Sequence, residues 1–520
     1  MTASVKTAIF SVAGVVAVSK LLGFLREIVI ADRFGTSADY DLYLIAVVLP
    51  AMLYGVLNYA SFYLLVPHFT RCLESSPDRG RDHWRTVWPI ININLAIACA
   101  AAVAIVIAAP SVMRIWASEY GAAQFDQIVF YARALSLIVI LGTSEAFLRA
   151  YLNTRRIFVY PALSYTIYNV FAIGCIVLLY DKYGIGAIAI GMVGGLTIQN
   201  LFLAARLLPF DPFRHFTAKL VTSSTRGLLA AGGMLVLIEA VNRSYFLIDR
   251  YFAPGFGEGV VSALAYGQVL VTLPDAIVGF ALGSVLYPLF SRNTPGKPDE
   301  RFMALYEKTI IAAVMMAVPL AALYFANARE IVYLVFQRGV FDEHSVQMTT
   351  AVLQPLVPTM LSLFIISTSV RAGYAQGWRQ PVLLFTIGLL AVKFVATAVL
   401  SRWLGYPGIA AATSVSQVGF AIAMVALIMK HRPKSYSSRL WSTMGRLILA
   451  GGVATGAVIL MDRMLGSLAQ PLTRLSAALE IAVSWAALLA IYVVLVWMFG
   501  LRKPLRETLP MISRSSDPPI

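Results

Sequence analysis

Residues 87–109 read VWPIININLAIACAAAVAIVIAA, a run of 23 residues with no Asp, Glu, Lys or Arg. A helix needs roughly 20 mostly apolar residues to cross a bilayer core about 30 Å thick. Lipid offers the backbone no hydrogen-bond partner, so such a run must satisfy its own N–H and C=O groups as a helix. Working outward, comparable runs occupy 7–30, 42–66, 128–149, 157–179, 185–208, 227–248, 259–290, 308–326, 350–371, 381–401, 406–430, 443–461 and 476–500. Arg243, Asp249 and Arg250 interrupt the seventh and eighth. The pattern predicts an all-α polytopic membrane protein with about 14 transmembrane helices. Composition agrees, since 59% of the 520 residues are hydrophobic and only 13% are charged. So few charges cannot cover a soluble surface, which leaves no room for a sizeable soluble enzyme domain.

The net charge of +15 first suggests nucleic acid. Placed on alternate loops with the N-terminus inside, however, about 26 Lys and Arg fall inside and about 10 outside. The inside set includes Arg71, Arg79, Arg81 and Arg85, then Arg206, Arg214, Lys219 and Arg226, then Lys430, Arg432, Lys434, Arg439 and Arg446, and finally Arg502, Lys503 and Arg506. This positive-inside bias predicts a multi-pass protein of the bacterial inner membrane with both termini cytoplasmic, and no nucleic-acid partner. The first span lacks a cleavage site and is expected to be retained. Cys72, Cys99 and Cys175 have neither ligand nor disulfide spacing.

An internal repeat divides the chain. Leu49-Pro50 matches Leu273-Pro274, and Pro67-His68-Phe69-Thr70-Arg71 matches Pro288-Leu289-Phe290-Ser291-Arg292. Arg149-Ala150-Tyr151 matches Arg371-Ala372-Gly373-Tyr374, Pro161 matches Pro381, and Gly184-Ile185-Gly186-Ala187 matches Gly408-Ile409-Ala410-Ala411. The offsets stay between 220 and 224 residues. A sixth pair, Asp32-Arg33-Phe34 and Asp249-Arg250-Tyr251, is offset by 217. Six helices per repeat preserve orientation, so the halves are parallel repeats, and transporters bind substrate at such interfaces. The expected organisation is an N-terminal lobe over 1–220, a C-terminal lobe over 221–432, a two-helix appendage over 433–500 and a disordered tail over 501–520.

No phosphate loop, Ser-His-acid set or Cys-His set is present, and His68, His83, His215, His344 and His431 lack metal spacing. The chain is therefore expected to be no enzyme, to use no cofactor or metal, and to draw on membrane potential or an ion gradient. Its informative residues are charges inside spans, each costing roughly 2.5–3.5 kcal/mol at a helix centre. Lys20, Arg26 and Glu27 lie in the first helix around Gly23, and Asp39 and Asp41 open the second. Glu239, Arg243, Asp249 and Arg250 lie in the seventh, and Lys393 in the eleventh. Glu145–Arg149 and Glu239–Arg243 are spaced as neutralising helical pairs. Arg holds a diphosphate bidentately and Lys holds it as a point charge, so Lys20, Arg26, Arg243 and Arg250 are the candidate diphosphate ligands. Glu27, Asp41, Asp249 and Lys393 are candidates for orienting these cations or closing gates, with Asp249 a possible partner of Lys393. Gly23, Pro50 and Pro274 are candidate hinges.

Ser19-Lys20-Leu21-Leu22-Gly23-Phe24-Leu25-Arg26-Glu27, followed by Phe34-Gly35, Asp41 and Leu49-Pro50, resembles the MurJ/MviN family. The resemblance continues through Leu152-Asn153-Thr154, Phe158 with Pro161-Ala162, Ala281–Pro288, Phe336–Phe341 and Arg371–Pro381, and it covers roughly 7–430. These are lipid II flippases of the multidrug/oligosaccharidyl-lipid/polysaccharide exporter superfamily. The resemblance implies two six-helix lobes around a central cationic cavity that alternates between inward- and outward-open states. It also implies an undecaprenyl-diphosphate-linked saccharide as substrate. Family cavity residues carry over at Lys20, Arg26 and Asp41. They fail at Tyr54-Gly55, where the family has an arginine pair, and at Gly267-Gln268-Val269, where it has Ala-Asp-Arg. Some relatives bind sodium through an acid in the eleventh helix, where this chain has Lys393. The departures keep an exopolysaccharide or O-antigen-type repeat unit in contention. A cationic drug exporter or a transport-inactive scaffold fits less well, and envelope-synthesis proteins are candidate partners.

Overall fold

A computed structural model describes residues 3–74, 84–212, 216–220, 222–275, 298–465 and 473–501. Side chains at 3–13, 223–224, 226–231, 462 and 464–465 are excepted. The repeat partner Pro288–Arg292, the family-like stretch 281–288, the basic residues Arg79, Arg81 and Arg214, and the tail over 502–520 lie outside the described residues. The described chain is helical without strands. It divides into two compact units, Met1–Ser262 and Ala263–Ile520.

The first unit contains α1 (Ala3–Phe34), α2 (Ala38–Ala46), α3 (Val48–Glu74), α4 (Trp84–Met113), α5 (Ala122–Leu135), α6 (Leu137–Thr154), α7 (Val159–Tyr183), α8 (Gly186–Ala205) and α9 (Ser223–Phe252). The expected second span is thus two helices. Ser37 starts α2 by accepting the Tyr40 N–H, and the break at Val47 precedes Leu49-Pro50. Pro50 lies in the first turn of α3, where its missing N–H leaves only one ladder bond unmade. The fourth span is also divided, at Ser136, whose hydroxyl bonds back to the Arg133 carbonyl. α1 packs on α7, α3 packs on α6 and α9, and α7 packs on α8. The repeat assigns α9 to the head of the second half, but its contacts with α3 and α4 lie in the first unit. The α7–α8 contact is close because α8 carries glycines. A Cβ on Gly191 would stand 3.1 Å from the Ala172 carbonyl oxygen, and one on Gly195 would stand 2.9 Å from the Tyr168 ring. Small residues four apart bring spanning helices together in this way.

The second unit continues α10 (Val260–Pro274) and adds α11 (Glu300–Ala326), α12 (Ala328–Phe336), α13 (Glu343–Ala375), α14 (Arg379–Leu404), α15 (Pro407–Lys430), α16 (Leu440–Leu465) and α17 (Arg474–Met498). Asp299, Asp342 and Thr473 cap α11, α13 and α17 by accepting backbone N–H groups three residues on. One apolar core joins α11, α13, α15, α16 and α17 through Tyr306, Ile365, Val425, Leu447 and Leu488. The two C-terminal helices are therefore built into this unit. Glu307 strengthens the join by accepting bonds from Tyr436 Oη (3.0 Å), Ser438 Oγ (2.8 Å) and the Arg439 N–H (3.1 Å).

Eleven helices among the described residues are long and apolar enough to cross a membrane. The other three expected spans fall on α1, α9 and 259–290, of which α10 is the described part. The repeat is visible in the turns. Gly184 ends α7 with φ +51° and Gly405 ends α14 with φ +68°. These two left-handed glycines are 221 residues apart, so Gly184 pairs with Gly405 and not with Gly408.

Candidate functional site

One face of α1 carries Ser19, Gly23 and Arg26, spaced four and three residues apart, and this face meets α7. Asn169 of α7 links all three. Its Nδ2 donates to the Ser19 carbonyl at 3.2 Å, its side chain lies 3.8 Å from where a Gly23 Cβ would be, and its Oδ1 accepts from Arg26 Nη1 at 3.4 Å. Arg26 Nη1 also donates to Tyr168 Oη at 3.1 Å, while Nη2 donates to Glu27 Oε1 at 2.7 Å. The guanidinium is thus held on three sides, and the Arg26 side chain as a whole is one-quarter exposed. Lys20 lies six residues from Arg26, roughly a third of a turn away around the helix. It is exposed and makes no polar contact among the described residues, so the structure does not join these two candidates.

A second cluster connects α3 and α6. Asn58 Nδ2 donates to Glu145 Oε2 and to the Gly142 carbonyl, both at 2.7 Å. Arg149 reaches Glu145 Oε1 at 3.0 Å and donates from Nη2 to Asn58 Oδ1 at 3.0 Å. Its guanidinium also lies 4.1 Å from the Phe62 ring centroid. All the strong partners are internal, so this pair acts as a knot that ties two spans together.

The α9 candidates separate. Arg243 Nε pairs with Glu239 Oε1 at 2.7 Å, and the Arg243 side chain is 41% exposed. Arg250 is two turns further on. It donates from Nη1 to the Val261 carbonyl at 2.8 Å and lies within electrostatic reach of Asp249, Tyr40, Asp41 and Tyr120. Asp41 is buried and bonded at both oxygens, accepting the N–H groups of Gly259 and Ser262 at 2.7 Å each. Its carboxylate therefore caps the start of α10, where an anion complements the helix dipole. Arg250, the buried Asp41 and the buried Asp249 thus lie near one another at this end, and none of them takes part in the bonds that Arg26 makes.

Tyrosines connect these groups, and sequence reasoning did not identify them. Tyr40 interacts electrostatically with both Arg250 and Arg26, and Tyr54 with Arg243, Arg149 and Tyr168. Asn169 was a legible signal, being an amide within an otherwise apolar run. In the second unit Lys393 is fully buried, and its Nζ donates to the Ile409 carbonyl at 3.3 Å and to Thr413 Oγ1. Of the hinge candidates, Gly23 faces Asn169, Pro50 follows the α2–α3 break, and Pro274 is the last residue of α10. Among the described residues no three His, Cys, Asp or Glu side chains converge on a metal site.

The knot gives a direct test. Glu145→Ala leaves Arg149 without its carboxylate, and breaking a buried pair costs about 3–5 kcal/mol. Denaturant unfolding in detergent should register that loss, and a Glu145→Leu/Arg149→Met double variant should recover most of it.

The profile of the family described as lipid II flippase MurJ matches residues 30–473. The lipid II flippase MurJ of Burkholderia cenocepacia is 24% identical over 514 residues, covering 95% of this chain and 97% of that protein. A probable lipid II flippase MurJ of Bdellovibrio bacteriovorus is 24% identical over 444 residues, covering 83% and 84%. Among solved structures, a lipid II flippase MurJ in an inward closed conformation superposes with a TM-score of 0.77 at 17% identity, covering 95% of this chain and 98% of that one. An inward-facing multidrug resistance transporter of the MATE family and MOP superfamily gives 0.62 at 15% identity, covering 81% and 96%. The fold is shared along nearly the whole chain and the family profile matches most of it, so this protein belongs to the MurJ family of lipid II flippases.

Proposed function

We propose that this protein is a flippase, not an enzyme. It moves an undecaprenyl-diphosphate-linked saccharide, the lipid II type of peptidoglycan precursor, from the inner to the outer leaflet of the bacterial inner membrane. The observation that carries this reading is Arg26, a guanidinium on a spanning helix, oriented by Glu27, Tyr168 and Asn169 and still partly open. A diphosphate can exchange for Glu27, since the planar guanidinium fork binds two phosphate oxygens as readily as two carboxylate oxygens and an i,i+1 pair is easily rearranged. Lys20 adds a mobile cation on the exposed side of the same helix, and Arg243 and Arg250 contribute from α9. Asp41 and Asp249 with Arg250 act as the gate, because releasing two backbone bonds frees the start of α10. The positive-inside bias puts both termini in the cytoplasm.

A second substrate class is kept by one observation. A Cβ on Gly267 would already stand 2.9 Å from Val352 Cγ1 and 3.2 Å from Leu356 Cδ1, and the half-buried Gln268-Val269 that follow it carry no charge where the resemblance implies Asp-Arg. Fewer cations suit a lipid-linked exopolysaccharide or O-antigen unit as readily. Rescue of a strain depleted of its lipid II flippase separates the two. Wild-type protein is expected to rescue and Arg26→Ala, equally expressed, is expected to fail; failure of both would move the substrate to the second class.

No nucleotide or cofactor is needed, and the driving force is membrane potential or an ion gradient. Lys393 supports potential-driven transport. Its ammonium takes a carbonyl and a hydroxyl oxygen, the ligand type that an alkali cation would seek. A tethered positive charge there makes a bound sodium ion redundant. Transport into vesicles is therefore expected to proceed at the same rate when sodium is replaced by potassium, and a strict sodium requirement would refute this assignment.

A further inference from the structure

At one end of the first unit, α2, α5 and the turn between α7 and α8 enclose a cavity of about 430 Å³. α2 packs on α5 and α5 packs on α8, so neighbouring helices form its walls. Asp39, Asp126, Gln127, Phe130, Tyr131 and Tyr183 line it, with Gly184-Ile185 of the turn, and no Lys, Arg or His does. Asp39 and Asp126 are exposed, and neither makes an ion pair or a hydrogen bond among the described residues. Asp39 lies in the first turn of α2, where an anion complements the helix dipole. Asp126 lies beyond the first turn of α5 and has no such role. Aromatic rings stand beside the two carboxylates. Tyr131 is within electrostatic reach of Asp39 and edge-on to Phe130, with centroids 5.4 Å apart. Its hydroxyl lies 3.5 Å from where a Gly186 Cβ would be. Tyr183 already attracts one cation, since Lys182 Nζ lies 5.2 Å from its ring centroid. Phe130 is 65% exposed, which puts apolar surface at the edge of the cavity.

Two uncompensated carboxylates repel an anion and favour a cation. A hard metal ion needs six or more oxygen ligands, and no three His, Cys, Asp or Glu converge among the described residues. Ring faces attract an ammonium group and carboxylates pair with it, and the volume suits a small organic group. The positive-inside bias puts this end on the outer side of the membrane, at headgroup depth. We propose that the cavity binds the primary ammonium of an aminophospholipid headgroup, with Asp39 and Asp126 as counter-charges and Tyr131 and Tyr183 as ring contacts. Lys182, exposed and adjacent, is placed for the headgroup phosphate. The site uses none of the arginines of α1 and α9, and the proposal does not rest on the flippase reading.

The test titrates the purified full-length chain in detergent with phosphatidylethanolamine and with its N-acetylated form, which lacks the ammonium, and counts bound lipid by native mass spectrometry. The N-acetylated lipid should bind about 5- to 20-fold more weakly. Asp39→Asn/Asp126→Asn should lose the same factor for phosphatidylethanolamine and nothing for the N-acetylated lipid, which a merely structural defect would not reproduce. Tyr183→Leu keeps both carboxylates and should lose about 2- to 5-fold. Soluble spermidine separates the sources of ammonium. Displacement of phosphatidylethanolamine by millimolar spermidine, absent in the double variant, supports the site, whereas spermidine binding without lipid binding overturns the lipid source. Equal binding of the two lipids overturns the proposal, as does unchanged phosphatidylethanolamine binding by both the double variant and Tyr183→Leu. None of these measurements involves translocation, so their failure leaves the flippase reading intact.

Discussion

A guanidinium inside a bilayer must carry its own counter-charge, and the first unit is arranged around that constraint. Arg26, Arg149 and Arg243 each bond a carboxylate on the same helix, at i+1 or i−4. Pairing within one helix lets the span insert as a nearly neutral rod before any tertiary contact forms. What distinguishes the three is the number of further partners. Arg149 is tied by Asn58 and Phe62 into a fixed knot, Arg26 is steadied by Tyr168 and Asn169, and Arg243 keeps its terminal nitrogens open. The same element thus serves cohesion in one place and leaves a partly exposed guanidinium in another.

Glycine is the second constraint, because each pair needs its partner helix at a set distance. Gly195 on α8 seats Tyr168, which in turn presents its hydroxyl to Arg26, and Gly142 on α6 seats Tyr54. With little hydrophobic gain from association in lipid, such close contacts and the polar bonds between helices provide most of the cohesion. The site therefore depends on residues that never approach a ligand.

Much of this was legible in the chain. Apolar run length located eleven spans among the described residues, and i,i+4 spacing identified Glu145–Arg149 and Glu239–Arg243 as pairs. Leu49-Pro50 was read as a repeat marker and a hinge within one span, whereas the chain breaks just before it, at Val47, into α2 and α3. The break at Ser136 was hidden, since it involves no proline and depends on one hydroxyl turning back to Arg133. Asp41 could be read as important but not as a cap for Gly259 and Ser262, because that contact spans more than two hundred residues. The seating of Tyr54 by Gly142 was equally out of reach, as nothing in sequence says which side chain fills the space a glycine leaves. That Lys20 and Arg26 share no contact has a simpler reason, since six residues on a helix do not return to one face.

On the proposed function, loosely held arginines in these spans exchange their carboxylates for a substrate diphosphate. Proteoliposomes containing the purified protein test it most directly, by comparing translocation of disaccharide-bearing undecaprenyl diphosphate with that of the corresponding monophosphate under an imposed membrane potential. The diphosphate carrier should cross and the monophosphate should lag well behind it, with Arg26→Gln abolishing the difference. Equal translocation of both carriers, unaffected by Arg26→Gln, would contradict the account.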